Sequence, residues 1–251
     1  MGRASSDILT APPPPAADAR LAYGEEPLQF GDLRLPPGPG PFPLAVVLHG
    51  GYWQATYNLI HVGHMCAALA TAGIATWNVE YRRLGDVGGG WPGTGEDVAR
   101  AIGFVDKLPV ARESVVLVGH SAGGQLALWA AKRARLPVVA LAAVSDVRET
   151  VARSGPDGVP ARFVGRSRFD ELSPIELLPL GVRQILFHGT ADDSVPYTMS
   201  ERYVEAAGEE AELVTLEGAG HFEPIDPEAR EWPQVLAAVR ELCVAADQRV
   251  R

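Results

Sequence analysis

Ser121 stands in the pentapeptide Gly-His-Ser-Ala-Gly, after a run of apolar residues and before a helix-forming stretch. The pattern G-x-S-x-G is typical of a sharp turn between a strand and a helix that exposes a nucleophilic serine. A glycine-rich turn without any chemistry would give the same letters. A serine hydroxyl alone is a poor nucleophile, because it needs a base, a group that orients the base, and N–H donors for the oxyanion. The rest of the chain must therefore supply these groups.

The candidate base is His221, which ends "VTLEGAGHF" after the last predicted strand. A histidine is neutral near pH 7 and suits general-base work, although a surface histidine without a role is the alternative. The candidate acids are Asp192 and Asp193 in "HGTADDSVP", and only one of the two adjacent side chains should point at the base. Asp146, after the preceding predicted strand, is a further alternative.

Candidate oxyanion donors lie in "VVLHGGYW", where glycines after a strand let backbone N–H groups face a substrate oxygen. The amide of Ala122, directly after the serine, is the other expected donor. Aromatic residues near these loops could stack on an aryl substrate, and we predict Trp53, Trp91 and Phe163 as pocket residues. Simple packing is the alternative for all of them.

Short apolar strands alternate with amphipathic helices along the chain, which predicts a mostly parallel, doubly wound α/β sheet with helices on both faces. An antiparallel N-terminal hairpin precedes it, and Thr94 with Asp97 predicts a capped helix start. We predict a flexible, proline-rich arm over residues 1–19 and a single domain over 20–248. Residues 147–182 interrupt the alternation and are expected to form a short cap or lid.

Composition excludes several classes of protein. The 251-residue chain is 47% hydrophobic and carries a formal net charge of -9, which argues against a nucleic-acid partner. Its two cysteines, the absence of a signal-like apolar stretch and the absence of a long apolar run predict a reduced cytoplasmic protein without a membrane partner.

Metal and nucleotide sites are weaker hypotheses. His61 and His64 lie three residues apart in one predicted helix with Cys66, but we find no further ligand and predict no metal site. The glycine-rich loop "EYRRLGDVGGGWPGTGED" lacks the Lys-Ser/Thr ending of a phosphate loop.

Four motifs together resemble the α/β-hydrolase superfamily over roughly residues 20–245: GHSAG, HGGYW, HGxxDxxVP and the late GHF. The HGG element resembles the esterase and lipase branch related to hormone-sensitive lipase. "HGGYWQ" with "GHSAGG" is similar to arylformamidases (kynurenine formamidases) and small bacterial carboxylesterases. Tyr52 departs from the first branch, in which a third glycine is usual at this position.

The resemblance implies a role for each matching residue. Ser121 is the implied nucleophile and His221 the implied base. Asp192 is the implied acid, because the family places it four residues after the histidine of HGxxD. Gly51 and Tyr52 are implied as oxyanion donors beside Ala122, by their position in the HGG loop.

The predicted function is therefore that of a serine carboxylesterase acting on small or aryl esters, with no metal or organic cofactor. An arylformamidase and a non-catalytic hydrolase-fold binding module are the alternatives. The expected partner is a small-molecule ester or amide, and a homodimer is a possible assembly.

Overall fold

The computed structural model describes residues 5–247, which form an eight-stranded sheet with the strand order β1-β2-β4-β3-β5-β6-β7-β8. The pairs β1–β2 and β2–β4 are antiparallel and all other neighbours are parallel. The predicted α/β fold with an antiparallel N-terminal hairpin is confirmed. The strands are β1 (Ala19–Ala22), β2 (Phe30–Arg34), β3 (Phe42–Leu48), β4 (Ala75–Val79), β5 (Val110–His120), β6 (Val138–Leu141), β7 (Gln184–Gly189) and β8 (Ala211–Leu216).

Helices cover both faces of the sheet, as its buried central strands β3, β4, β6 and β7 require. On β3, Leu44 and Val46 pack into the core cluster on one face, while Ala45 and Val47 pack into the cluster on the other. The helices are α1 (Gly63–Thr71), α2 (Gly93–Gly103), α3 (Ala122–Ala134), α4 (Val147–Ser154), α5 (Val159–Val164), α6 (Pro174–Leu177), α7 (Tyr197–Ala207) and α8 (Trp232–Asp247). Within residues 5–247, no helix has both the length and the apolar character needed to cross a bilayer.

The predicted start of α2 is wrong. The helix begins at Gly93, so Thr94 lies inside it, and the capping residue Pro92 makes no side-chain bond. The Thr94 hydroxyl donates to the Arg82 carbonyl at 2.6 Å, and the Arg82 guanidinium donates to Asp97 at 2.7 and 2.8 Å. The side chains of Thr94 and Asp97 therefore bind the loop before α2 rather than cap the helix.

Part of the predicted flexible arm packs against the body through Ile8, Pro12 and Pro14, and residues 1–4 lie outside the described part of the chain. Ile8 is 4% exposed. His64 Nε2 lies 2.9 Å from the Pro12 carbonyl oxygen. A Cβ on Gly63 would lie 2.5 Å from Pro14, so this glycine lets the proline approach α1. Long-range contacts of this kind leave no local pattern in the sequence.

Residues 147–182 form α4, α5, a short 3₁₀ helix (Phe169–Glu171) and α6. Phe163 and Leu172 from this segment are fully buried. Gln125 and Trp129 of α3 donate side-chain hydrogen bonds to the carbonyls of Leu172 and Glu171 at 2.8 and 3.0 Å. The segment is thus anchored on α3, and its action as a moving lid stays a prediction.

Candidate active site

Ser121 sits at the junction of β5 and α3 with φ 55° and ψ −120°. A non-glycine residue in this region costs about 1–3 kcal/mol, and such conformations cluster at functional sites. The turn is possible because a Cβ on Gly119 would lie 2.2 Å from the Gly123 carbonyl oxygen, and one on Gly123 would lie 2.2 Å from that of Leu48. The glycines therefore let helix and strand approach, as the motif predicts.

His221 and Asp192 form a hydrogen-bonded pair. His221 Nδ1 donates to Asp192 Oδ2 at 2.7 Å, and the two side chains are 6% and 0% exposed. A proton on Nδ1 leaves the lone pair of Nε2 available. His221 and Ser121 line one cavity. The structure thus brings the predicted nucleophile, base and acid to the same edge of the sheet.

The Asp192 carboxylate is held by several donors. Its Oδ1 accepts from the amides of Ser194 and Val195, both at 2.8 Å, and His188 Nε2 lies 3.2 Å from Oδ2. Burial alone would raise the pKa of Asp192, but the hydrogen bonds from His188 and His221 outweigh it and lower that pKa. The carboxylate is therefore charged throughout the neutral and mildly acidic range.

The two alternative acids lie elsewhere. Asp193 is exposed and accepts a hydrogen bond from Ser194 Oγ at 3.1 Å. Asp146 accepts from the Glu149 amide at 2.9 Å and caps α4. Neither contacts His221 in the described part of the structure, so the geometry favours Asp192.

The loop after β3 bends through three successive positive φ angles: 115° at Gly51, 54° at Tyr52 and 57° at Trp53. Gly51 and Tyr52 line the cavity beside Ser121. Ala122 is fully buried at the first position of α3, where an amide has no acceptor within the helix. Among backbone contacts of residues 5–247, the amides of Gly51, Tyr52 and Ala122 donate to no carbonyl. They are thus available to a substrate oxygen.

The cavity has a volume of about 370 Å³ and contains Ser121, His221 and Phe222. Tyr52 closes one side, because its hydroxyl lies 2.8 Å from Ser154 Oγ at the end of α4. The loop after β3 is thereby tied to the segment 147–182. The other residues of the wall come from the N-terminal segment, the chain between β3 and α1, the ends of β5 and β6, and the α4 and α7 regions: Leu9, Gly51, Gln54, Tyr57, His61, His120, Val144, Thr150, Arg153, Ser194, Val195, Pro196 and Met199.

The predicted pocket aromatics do not line this cavity, so that prediction is wrong. Trp53 is 1% exposed, stacks on Phe163 at 4.6 Å between ring centroids, and donates to Gln125 at 3.0 Å. Trp91 packs edge-on against Trp129 at 5.0 Å. Because of the backbone turn, the Trp53 side chain is buried in the core whereas Tyr52 lines the cavity. Sequence reasoning missed Tyr57, although it lies close to the HGG loop, and Leu9, for which no local signal exists.

Two buried histidines lie behind the site. His120 Nε2 donates to the His221 carbonyl at 3.0 Å, and its ring centroid lies 4.7 Å from that of His221. Burial lowers the pKa of His120 and lowers that of His61 to about 3. Both are therefore neutral at pH 7 and add no positive charge to the cavity.

The residues considered for a metal do not converge. His61 faces the cavity, His64 lies against Pro12, and Cys66 is buried in the core beneath α1. Burial raises the pKa of the Cys66 thiol to about 12. Residues 5–247 contain no cluster of three or more His, Cys, Asp or Glu side chains able to hold a metal ion.

Residues 94–232, more than half of the 251-residue chain, match the sequence model of the prolyl oligopeptidase family. The chain belongs to this family. A second family model, described as BD-FAE, matches residues 32–146. The matched span of the prolyl oligopeptidase family contains Ser121, Asp192 and His221. Membership of the α/β-hydrolase superfamily is thereby confirmed, whereas the likeness to arylformamidases stays a prediction.

Solved structures of similar fold superpose on nearly the whole length of this chain. The inhibited esterase B of Lactobacillus rhamnosis superposes with a TM-score of 0.81 at 17% identity, covering 98% of this chain and 93% of that one. Thermogutta terrifontis esterase 2, phosphoramylated by tabun, gives 0.74 at 21% identity over 93% and 96%. A putative thioesterase from Silicibacter gives 0.73 at 24% identity over 90% and 86%. At these identities the likeness shows the fold. No curated protein matches the sequence.

Proposed function

We propose that the protein is a serine carboxylesterase that cleaves small or aryl carboxylic esters through an acyl-enzyme on Ser121. The observation that carries the proposal is the 2.7 Å contact between His221 and Asp192 at the wall of the cavity that also contains Ser121. The structures of similar fold described as esterases support the same chemistry.

The first half of the reaction forms the acyl-enzyme. His221 Nε2 takes the proton of Ser121 Oγ while the oxygen attacks the ester carbonyl carbon. The amides of Gly51, Tyr52 and Ala122 stabilise the oxyanion, and each donor of this kind contributes about 2.7–4 kcal/mol to transition-state stabilisation. The Nδ1 proton stays on His221, since Asp192 remains a carboxylate and stabilises the imidazolium.

The second half releases the products. His221 Nε2 gives its proton to the leaving alcohol oxygen as the C–O bond breaks. Water then gives a proton to the same nitrogen and attacks the acyl carbon, and Ser121 recovers its proton when the carboxylic acid leaves. Every proton moves through one imidazole, so the residues present suffice for the reaction.

An arylformamidase is the second candidate. Aromatic side chains border the cavity at Tyr52, Tyr57 and Phe222, where an aryl group would find stacking partners. A formyl group needs almost no acyl pocket, so this activity would fall away with acyl groups longer than acetyl. A hydrolase-fold binding module without turnover is the remaining alternative, and the hydrogen-bonded pair beside Ser121 argues against it.

The test is hydrolysis of p-nitrophenyl acetate, butyrate and hexanoate beside N-formylkynurenine, with Ser121→Ala and, as a matched control, Ser167→Ala. Ser167 follows α5 and does not line the cavity. We expect ester turnover by the wild type and the control, and its loss in Ser121→Ala. Turnover of N-formylkynurenine with collapse beyond acetyl would favour the second candidate. Equal turnover by Ser121→Ala would overturn both enzymatic proposals.

A further inference from the structure

Arg153 differs from every other residue of the cavity wall in its charge. The wall contains hydroxyl, amide, aromatic and aliphatic groups, and no carboxylate. His61 and His120 are neutral because burial lowers their pKa values. Among residues 5–247, Arg153 thus brings the only permanent charge to this cavity, in a chain whose net charge is -9. An arginine keeps its charge at any pH at which a protein is folded.

The guanidinium of Arg153 forms no ion pair within residues 5–247, unlike those of Arg148 and Arg168 in the same segment. Arg148 in the same helix pairs with Glu176 at 2.8 Å, and Arg168 pairs with Asp170. The usual helical partner of Arg153 would be the glutamate one turn earlier, Glu149. That carboxylate instead binds Arg202 of α7. An unpaired, exposed guanidinium is therefore presented at the mouth of the site.

We propose that Arg153 selects esters or amides that carry an anionic group, such as a carboxylate, a few bonds from the scissile carbonyl. This inference rests on the proposed serine-hydrolase function and adds a charge class to its substrate. A guanidinium offers paired N–H donors that match the two oxygens of a carboxylate. Because no carboxylate of the wall competes for it, a bound substrate can make this contact without breaking an existing ion pair.

The position of Arg153 sets the expected size of the effect. The residue is exposed and in the last turn of α4, so water and salt screen its charge. An ion pair in such an exposed place raises binding by roughly two- to fivefold, well below the effect of a buried ion pair. Arg153 lines the same cavity as Gly51 and Tyr52 of the proposed oxyanion loop.

The experiment compares esters that differ only in charge. On the acyl side, mono-p-nitrophenyl glutarate is compared with p-nitrophenyl pentanoate, in which a methyl group replaces the carboxylate. On the alcohol side, 4-acetoxybenzoate is compared with 4-methylphenyl acetate. The ratio of kcat/KM for the anionic ester to that for the neutral ester is measured in wild type, Arg153→Gln, Arg153→Lys and Arg153→Glu. Arg166→Gln is the matched control, since Arg166 is exposed in the same segment and does not line the cavity.

We expect Arg153→Gln to lower the charge ratio of at least one pair by roughly two- to fivefold, and the ratio cancels any general effect of the substitution on turnover. Arg153→Lys should restore part of the ratio, Arg153→Glu should lower it further, and Arg166→Gln should leave it unchanged. An unchanged ratio in Arg153→Gln for both pairs would overturn the inference while leaving the esterase proposal intact. Absence of turnover of every ester by the wild type would instead overturn the proposed function.

Discussion

His221–Asp192 and His49–Glu80 are both buried histidine–carboxylate pairs, with contacts of 2.7 and 3.0 Å. The His49 ring stacks on Tyr81 at 4.3 Å, and both of its nitrogens have oxygen partners, the second being the Gly50 carbonyl at 2.7 Å. His221 uses only Nδ1 in its pair and borders the cavity. The same kind of pair, a histidine with a carboxylate, therefore stabilises the core in one place and borders the candidate active site in the other.

The difference lies in what surrounds each carboxylate. Burial raises the pKa of Glu80, but His49 and Arg83 lower it more strongly, so the carboxylate is charged and forms an ion pair with Arg83 at 2.9 Å. That network is closed, because every charged group in it has a partner. Asp192 instead contacts two imidazoles, those of His188 and His221, and the second nitrogen of His221 is open to the cavity. A histidine–carboxylate pair becomes chemically useful only where one nitrogen remains free.

The largest expected effect is that of His221→Ala, which removes the free nitrogen. We expect kcat to fall by at least about 10³–10⁴-fold, as for removal of a base in a catalytic triad. The fold should persist, because Asp192 keeps its bonds from the Ser194 and Val195 amides. Steady-state kinetics with p-nitrophenyl butyrate and circular dichroism check both expectations. An unchanged kcat would contradict the role of His221 as the base, and with it the distinction between the pairs His221–Asp192 and His49–Glu80.

Asp192→Asn and Asp193→Asn form a matched test of the orienting group. In Asp192→Asn the new amide would still fill the site but would favour the wrong imidazole tautomer, so we expect kcat to fall by about 10³–10⁴-fold. Asp193 is exposed, and within residues 5–247 its side chain accepts a hydrogen bond only from Ser194 Oγ. The kcat of its variant should therefore stay within about threefold of the wild-type value. Steady-state kinetics with p-nitrophenyl butyrate measure both variants. Comparable losses in the two would contradict the assignment of the acid.

Glu80→Gln tests the closed pair. It leaves Arg83, which is 4% exposed, with Asp86 at 3.3 Å as its remaining ion-pair partner, so we expect a cost below the about 3–5 kcal/mol of leaving a buried charge without any partner. We expect urea unfolding of the variant, measured at low temperature so that it starts folded, to have a lower midpoint than that of the wild type. In folded protein, kcat/KM should stay near the wild-type value. A large loss of kcat in folded protein would show that the two pairs are not separate in function.

The smallest expected effect concerns His61, whose ring lies 5.8 Å from that of His49 and 6.1 Å from that of His120. Burial lowers its folded-state pKa to about 3, against about 6.5 when unfolded. Between these values the unfolded state binds more protons, so this group makes stability fall as the pH drops from about 6.5 towards 3.

His61→Gln should therefore flatten the acid limb of the stability curve, whatever fixed cost it brings at neutral pH. Urea unfolding from pH 7 to pH 4, with His64→Gln as the control from the same part of the chain, measures this slope. His64 contacts the Pro12 carbonyl at the outer side of the segment. Equal slopes in wild type and His61→Gln would contradict a buried neutral histidine.

Local sequence predicts most of the fold and the placement of Ser121 and His221, because each follows a short apolar strand and strand ends meet at one sheet edge. It does not separate Asp192 from Asp193 without a family resemblance, since adjacent residues after a strand point in different directions and either could face the base. Trp53 looked like a pocket residue by its position, but the backbone turn directs it into the core.

The contacts that complete the cavity wall join distant parts of the chain. Leu9 reaches the cavity because Pro14 packs on Gly63 and Ile8 is buried, and neither contact has a periodic signature. Tyr52 and Ser154 are 102 residues apart when they meet. Such contacts depend on tertiary packing, so only the folded chain defines the walls that would select a substrate.

Covalent labelling tests the central claim most directly. The wild type, Ser121→Ala, His221→Ala and Glu80→Gln are treated with a fluorophosphonate, and the adduct is located by intact-mass and peptide mass spectrometry. We predict a single adduct on Ser121 in the wild type and in folded Glu80→Gln, very slow labelling of His221→Ala, and none of Ser121→Ala. No adduct on the wild type, or the same labelling of Ser121→Ala, would contradict the assignment of Ser121 as an activated nucleophile.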